Sequence, residues 1–205
     1  MYVPPMFNVE EDSAWRIVLD AGAGMLVINT DNGLASVFVP VIPSEDRRTV
    51  RFHVARANPW WKAVSEGTEV LGLFLAASAY VSPNLYPSRS ESPGVVPTWN
   101  YVACEVRGVL HLHDDPEWTS QQVHDLTDHF ESGNTPPWRV EDSPADYIGH
   151  QLTAIVGLEI EVTSIQGKAK MSQNRPEIDH DNVQEHFAAG SWSEQNVASR
   201  MNLDK

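Results

Sequence analysis

Met25-Leu26-Val27-Ile28-Asn29-Thr30-Asp31-Asn32-Gly33-Leu34-Ala35-Ser36-Val37-Phe38-Val39 is the stretch that decides the fold class. Met25–Asn29 reads as a buried strand. Asp31-Asn32-Gly33 is a strong two-strand turn signal, because Asn-Gly supplies the positive φ angles of a tight hairpin. Leu34–Val39 is the return strand, and Pro40 and Pro43 end it. A hairpin of this kind commits the sheet to antiparallel pairing from its first two strands.

Working outward, acidic residues open a helix from Glu10 to about Leu19, placed at the positive end of its dipole. Thr49–Val54 alternates polar and apolar residues and makes a third strand. Asn58-Pro59-Trp60-Trp61 starts a short helix to about Val64, with Asn as N-cap and Pro in the first turn. Glu69–Ala76 and Ala79–Val81 are β-rich, and a proline- and serine-rich loop covers 82–94. Val95–His113 is a long β stretch, either two strands or one bent at Gly108. Pro116–Phe130 has helical spacing, and Ser143-Pro144 opens another helix to about Val156. Gly157–Ile165 alternates as a half-buried strand. The tail from Asp181 carries two short helical patterns and frays at its end. Strands interrupted by helices, without βαβ alternation, point to an antiparallel barrel with peripheral helices. The expected domains are 1–180 for the barrel with inserted helices and 181–205 for a helical tail.

The 205 residues carry 14 Lys+Arg against 28 Asp+Glu, a net charge of −14. Ten of those negative charges lie in Val109–Ile165, where Arg139 is the one base among eleven acids. Such a balance argues against a free-standing nucleic-acid binder, which needs clustered Lys and Arg. The single Cys104 excludes an intramolecular disulfide framework and a Cys-based zinc site, and fits a reducing compartment. No apolar run approaches the ~18 residues of a membrane span. The start, Met1-Tyr2-Val3-Pro4-Pro5, lacks a secretory leader pattern, so a cytoplasmic protein is expected.

Four clusters carry chemistry. His53-Val54-Ala55-Arg56-Ala57-Asn58-Pro59 passes from a strand into a helix start, where unpaired N–H groups, Arg56 and His53 suit a phosphate; taken alone, these residues favour a capped helix with a surface arginine. Tyr80-Val81-Ser82-Pro83 and Tyr86-Pro87-Ser88 place hydroxyls at a strand exit, for a ligand or for loop closure. In Val96-Pro97-Thr98-Trp99-Asn100-Tyr101, Thr98 and Asn100 share one face and Trp99 and Tyr101 the other. Gly167-Lys168-Ala169-Lys170-Met171-Ser172-Gln173-Asn174-Arg175-Pro176 gathers cations and amides after an acidic strand, either as a pocket or as a solvated basic loop. His111 and His113 share a strand face beside Asp114 and Asp115 but lack a third ligand at a recognisable spacing, so no metal site is assigned. Cys104 is expected to be a buried, inert thiol. No glycine-rich nucleotide loop or serine elbow is present.

These clusters, in this order, resemble the PaiB family of FMN-binding negative transcriptional regulators of protease synthesis and sporulation. The resemblance also takes in Met1-Tyr2-Val3-Pro4 and Ala154-Ile155-Val156-Gly157-Leu158-Glu159-Ile160, and runs over nearly the whole chain. It implies a flavin-binding split β-barrel related to pyridoxamine-phosphate oxidases, a homodimer with FMN at the subunit interface. It further implies His53, Arg56 and Asn58 on the phosphate side, Tyr80, Ser82, Thr98, Asn100 and Tyr101 along the ring and ribityl chain, and Lys170, Ser172, Gln173 and Arg175 closing the site. Two segments depart from the family pattern: Val37-Phe38-Val39-Pro40 stands where Ser/Thr-His-Leu-Pro is usual, and Ala169 where an aromatic is usual. The helices around Pro116–Phe130 and Pro144–Val156 are acidic, so direct DNA contact is not expected and any regulatory effect would pass through flavin or a small ligand. A flavin-dependent oxidoreductase and a haem-handling barrel, with His53, His111 or His113 as axial ligand, are the alternatives, and no catalytic residue is assigned.

Overall fold

The computed structural model describes residues 1–201. Its centre is a seven-stranded sheet built from β1 (Ala23–Thr30), β2 (Gly33–Pro40), β3 (Ile42–Pro43), β4 (Thr49–Ala55), β5 (Glu69–Val81), β6 (Thr98–His113) and β7 (Ile155–Lys170). The strand order is β2-β1-β5-β6-β7-β4-β3. The pairs β1/β2, β1/β5, β3/β4 and β4/β7 are antiparallel. Among the described residues five α-helices lie outside it: α1 (Glu11–Ala21), α2 (Pro116–Glu131), α3 (Ala145–Thr153), α4 (Glu177–Ala188) and α5 (Trp192–Ala198). This is the expected antiparallel sheet with peripheral helices.

The chain divides into two compact units. A terminal unit holds Met1–Ala21, Phe74–Cys104 and the chain from Gln166 onward, and a central unit holds Gly22–Leu73 and Glu105–Ile165. In the terminal unit, α1 buries Ala14, Trp15, Ile17 and Val18, the i, i+3, i+4 stripe of an amphipathic helix. Gly167 of β7 passes directly beneath it: a Cβ there would lie 2.3 Å from Val9 Cγ2 and 3.1 Å from the Ala14 Cβ. In the central unit, β4 alternates with Val50, Phe52 and Val54 buried, paired with Ile160, Leu158 and Val156 of β7.

The first hairpin forms, but through a different turn. Thr30 pairs with Gly33, and only Gly33 is left-handed, at φ 99°. Asp31 and Asn32 keep negative φ, so the loop follows a type I turn with a left-handed glycine after it rather than the mirror-image turn. Pro40 is the last residue of β2, and Pro43 lies within the short β3. The segment after Asn58 is a 3₁₀ turn, Pro59–Ala63, capped as expected by the Asn58 side chain accepting from Trp60 N. β5 is continuous across Ala76-Ala77-Ser78, and β6 is one strand through Gly108. At Gly108 a Cβ would meet Glu161 O at 2.2 Å, so the close approach of β7 explains the glycine. α3 ends at Thr153, three residues short of the expectation, because β7 already begins at Ile155. β7 continues five residues past Ile165, which turns the basic block from a loop into strand. α4 starts at Glu177, before Asp181, and α5 follows. The expected fraying at the end of the tail lies outside the described residues.

Candidate functional site

The basic block organises the terminal unit. Lys168 and Lys170 are the last cations of β7. Lys168 is buried, lies 5.2 Å from the Tyr101 ring centre and 6.0 Å from that of Phe7, and donates from Nζ to Tyr2 O at 3.2 Å. Lys170 donates to Thr98 Oγ1 and, at 2.8 Å, to Trp99 O. Burial, then repulsion from Lys168 and Arg175, holds the Lys170 ammonium below the usual lysine range. Among the described residues no carboxylate pairs with Lys168, Lys170 or Arg175. In a chain of net charge −14, three cations left without an acid make a locus that favours an anion.

Beyond Lys170 the chain makes a tight, polar corner. Ser172 is left-handed at φ 62°, a conformation that costs a side-chain-bearing residue roughly 1–2 kcal/mol. Its carbonyl accepts from Arg175 N at 2.9 Å, and its Oγ donates to Asn100 Oδ1 at 3.1 Å. Asn100 is 0% exposed, and its Nδ2 donor has no partner among the described residues. An orphaned buried amide costs about 1–3 kcal/mol. Gln173 staples the corner: its Oε1 accepts from Met171 N at 2.6 Å, and its Nε2 donates to Ala169 O at 2.7 Å and Met6 O at 3.2 Å. The Arg175 guanidinium lies 4.3 Å from the Tyr86 ring centre. Tyr80 and Trp99 form an exposed edge-to-face pair with centroids 6.1 Å apart. Ser82 caps the turn at Pro83 by accepting from Asn84 N. Next to this corner a cavity of about 550 Å³ takes Gln173 and Arg175 into its wall, with His180 and Met171.

Of the twelve residues expected at a cofactor, nine fall in the terminal unit. Lys170 is hydrogen-bonded to Thr98 and Ser172 to Asn100, and the Tyr101 ring lies against Lys168. The other three belong to the central unit and are engaged there. His53 Nδ1 is 2.8 Å from Gln122 Oε1. Arg56 donates to Asp114 in a bidentate pair at 2.6 and 3.2 Å and to the carbonyls of Thr153 and Ile155. That hydrogen-bonded pair lowers the Asp114 carboxyl and raises Arg56. Asn58 is the cap described above.

The family described as "Putative FMN-binding domain" matches residues 1–164. The chain belongs to this family. Among curated relatives, "Protease synthase and sporulation protein PAI 2" of Bacillus subtilis is 28% identical over 91% of this chain and 89% of its own. An uncharacterized protein of Aspergillus fumigatus is 34% identical over 68% of this chain, which spans 66% of that relative's length. Among solved structures, the flavocytochrome Anf3 from Azotobacter vinelandii superposes with a TM-score of 0.61 at 14% identity, over 94% of this chain and 80% of that one. The shared architecture is the flavin-binding split barrel.

The residues present fit such a group. A flavin mononucleotide combines a phosphate dianion, a polyol and a flat ring; the terminal unit offers unpaired cations, a buried amide donor without a partner, and exposed aromatic faces. Sequence reasoning placed Lys168 in the basic block but gave it no role at the site, and it missed two further contributors. Asp179, 0% exposed, accepts from Ser88 N at 3.0 Å and Ser88 Oγ at 2.7 Å. Asn182 donates to Leu85 O at 2.9 Å, so α4 fastens the loop that carries Tyr86. No local pattern in the sequence marks a helix–loop clamp across 91 residues.

Proposed function

We propose that the protein binds FMN with the phosphate at Lys168 and Lys170, the Thr98, Asn100 and Ser172 side chains along the phosphate and polyol, and the Tyr80–Trp99 face beside the ring. The observation that carries this reading is the set of basic side chains without a carboxylate partner, next to an orphaned buried amide. The phosphate-side role implied for Arg56 would require it to exchange Asp114 for the ligand, so Lys168 and Lys170 are placed first. When bound, FMN supplies one- or two-electron redox chemistry; the chain's part is to bind and orient it and to shield it from water.

The flavin site is read as shared in a homodimer. Two exposed apolar stretches support this. In the central unit Phe38, Met25 and Leu73 lie side by side across β2, β1 and β5 and are all exposed; in the terminal unit Leu75, Tyr80 and Trp99 are exposed. Exposed apolar faces of this kind mark association surfaces. Any regulatory effect is read as indirect, through the flavin or another small ligand, because α2 and α3 carry acidic side chains that a DNA duplex would repel.

The test is the visible spectrum of purified protein mixed with FMN and passed through a desalting column under light-scattering detection. The expected result is a stoichiometric flavin band travelling with a dimer. Protein emerging colourless, or as a monomer at micromolar concentration, contradicts the reading.

A further inference from the structure

The terminal unit's cavity has features the flavin reading does not use. Its volume, about 550 Å³, falls inside the range of small-molecule sites, roughly 300–1,000 Å³. Its wall is half apolar, with Met171 and Met201 among the thioethers lining it, and thioether side chains adapt to differently shaped apolar bodies. Charges of both signs share the same wall. Arg175 has no carboxylate partner, and Glu10 and Glu177 have no cationic partner among the described residues. His180, also in the wall, is 5% exposed; its Nδ1 is held 3.2 Å from Asp181 Oδ1, and its Nε2 has no hydrogen-bond partner among the described residues.

A simple anion would meet Glu10 and Glu177, and a simple amine would meet Arg175. A molecule carrying both an ammonium and a carboxylate answers both signs at once, and an apolar body answers the methionines. We propose that this cavity binds a small zwitterion of the apolar α-amino-acid class. Arg175 takes the carboxylate with its planar fork, Glu177 and Glu10 take the ammonium, and His180 Nε2, with its Nδ1–H committed to Asp181, accepts from the ammonium. The proposal goes beyond the flavin reading. Its site is next to the basic corner, and Arg175, already placed against Tyr86, stands between them.

The probes are L-phenylalanine, phenethylamine (no carboxylate) and 3-phenylpropionate (no ammonium), titrated calorimetrically into the full chain with and without FMN. L-Phenylalanine is expected to bind at least tenfold more tightly than either analogue. E177Q should weaken phenylalanine about tenfold and should not weaken 3-phenylpropionate, from which it removes a repelling charge, and R175K should weaken phenylalanine while leaving phenethylamine unchanged. Circular dichroism of each variant confirms that it is folded. Equal binding by all three probes, or binding by none at millimolar concentration, overturns the proposal. Displacement of phenylalanine by one equivalent of FMN also overturns it, since the cavity would then be the flavin's own. FMN binding, read separately by quenching of flavin fluorescence, distinguishes failure of this proposal from failure of the flavin reading.

Discussion

Replacing Asp179 by alanine tests how the basic corner is held in place. The carboxylate is fully buried and accepts two hydrogen bonds from one residue, Ser88, through its backbone N–H and its hydroxyl. In D179A the Ser88 hydroxyl can turn to another partner or to water, but its N–H is fixed by the backbone and loses its acceptor. An orphaned buried donor costs about 1–3 kcal/mol, and the lost side-chain bond adds about 1 kcal/mol. Relief of carboxylate burial offsets part of this, leaving roughly 2–3 kcal/mol of destabilisation. At about 2–4 °C per kcal/mol for a chain of this size, Tm should fall by roughly 4–12 °C. D179N keeps an acceptor for the N–H and should fall by much less. S88A removes only the hydroxyl and costs about 1 kcal/mol. The assay is differential scanning calorimetry of the three variants and of D179A/S88A. Because both residues act through one contact, the double variant should resemble D179A alone. Strict additivity of D179A and S88A, or a D179A midpoint within 1 °C of the parent, would refute the clamp.

Gly108→Ala puts a Cβ 2.2 Å from Glu161 O and 2.5 Å from Ile160 Cγ2, atoms of a paired strand that cannot yield cheaply. Urea unfolding should show a loss of about 1–3 kcal/mol or more, whereas Gly133→Ala, with nothing within 4 Å, should be close to neutral. Two histidines of the central unit should give opposite pH effects. Burial lowers His113, whose ring stacks on Trp118 at 4.0 Å, so its contribution to stability is lost as pH falls below 6.5. His124 is raised, chiefly by its hydrogen bond to Ser120 O and then by Glu141, so its contribution is present below 6.5 and lost as pH rises through its folded value. Between pH 7.5 and 5.5, H113Q should therefore lose less Tm than the parent and H124Q should lose more; the same pH response in both would contradict these assignments.

The fold was largely legible because its central signals are local. The apolar runs on either side of Asp31-Asn32-Gly33 and the alternation of Thr49–Val54 reflect one buried face each, and β1, β2 and β4 appear within one or two residues of where they were expected. The misreadings have a common cause. Ala76-Ala77-Ser78 and Gly167-Lys168-Ala169-Lys170 have poor intrinsic strand preference, and they are strand because of what lies against them. Gly167 is pressed under α1, and Asn8 bridges to Lys168. The side chains of Lys168 and Lys170 look solvated in sequence; in the structure one lies against Tyr101 and Phe7 and the other is bound to Thr98 and Trp99 O. The resemblance located the basic corner, while the Asp179 clamp, the orphaned Asn100 amide and the cavity beside them depend on contacts between distant segments that no spacing records.

In the proposed complex Lys168 and Lys170 hold a flavin by its phosphate. Comparing FMN with riboflavin, which lacks the phosphate, in parallel fluorescence titrations of the parent protein and Lys170→Met isolates that contact. FMN should bind the parent at least a hundredfold more tightly than riboflavin does, and in Lys170→Met the gap should shrink by tenfold or more through loss of FMN affinity alone. An unchanged gap, or equal losses for both ligands, would place the phosphate elsewhere and contradict the account.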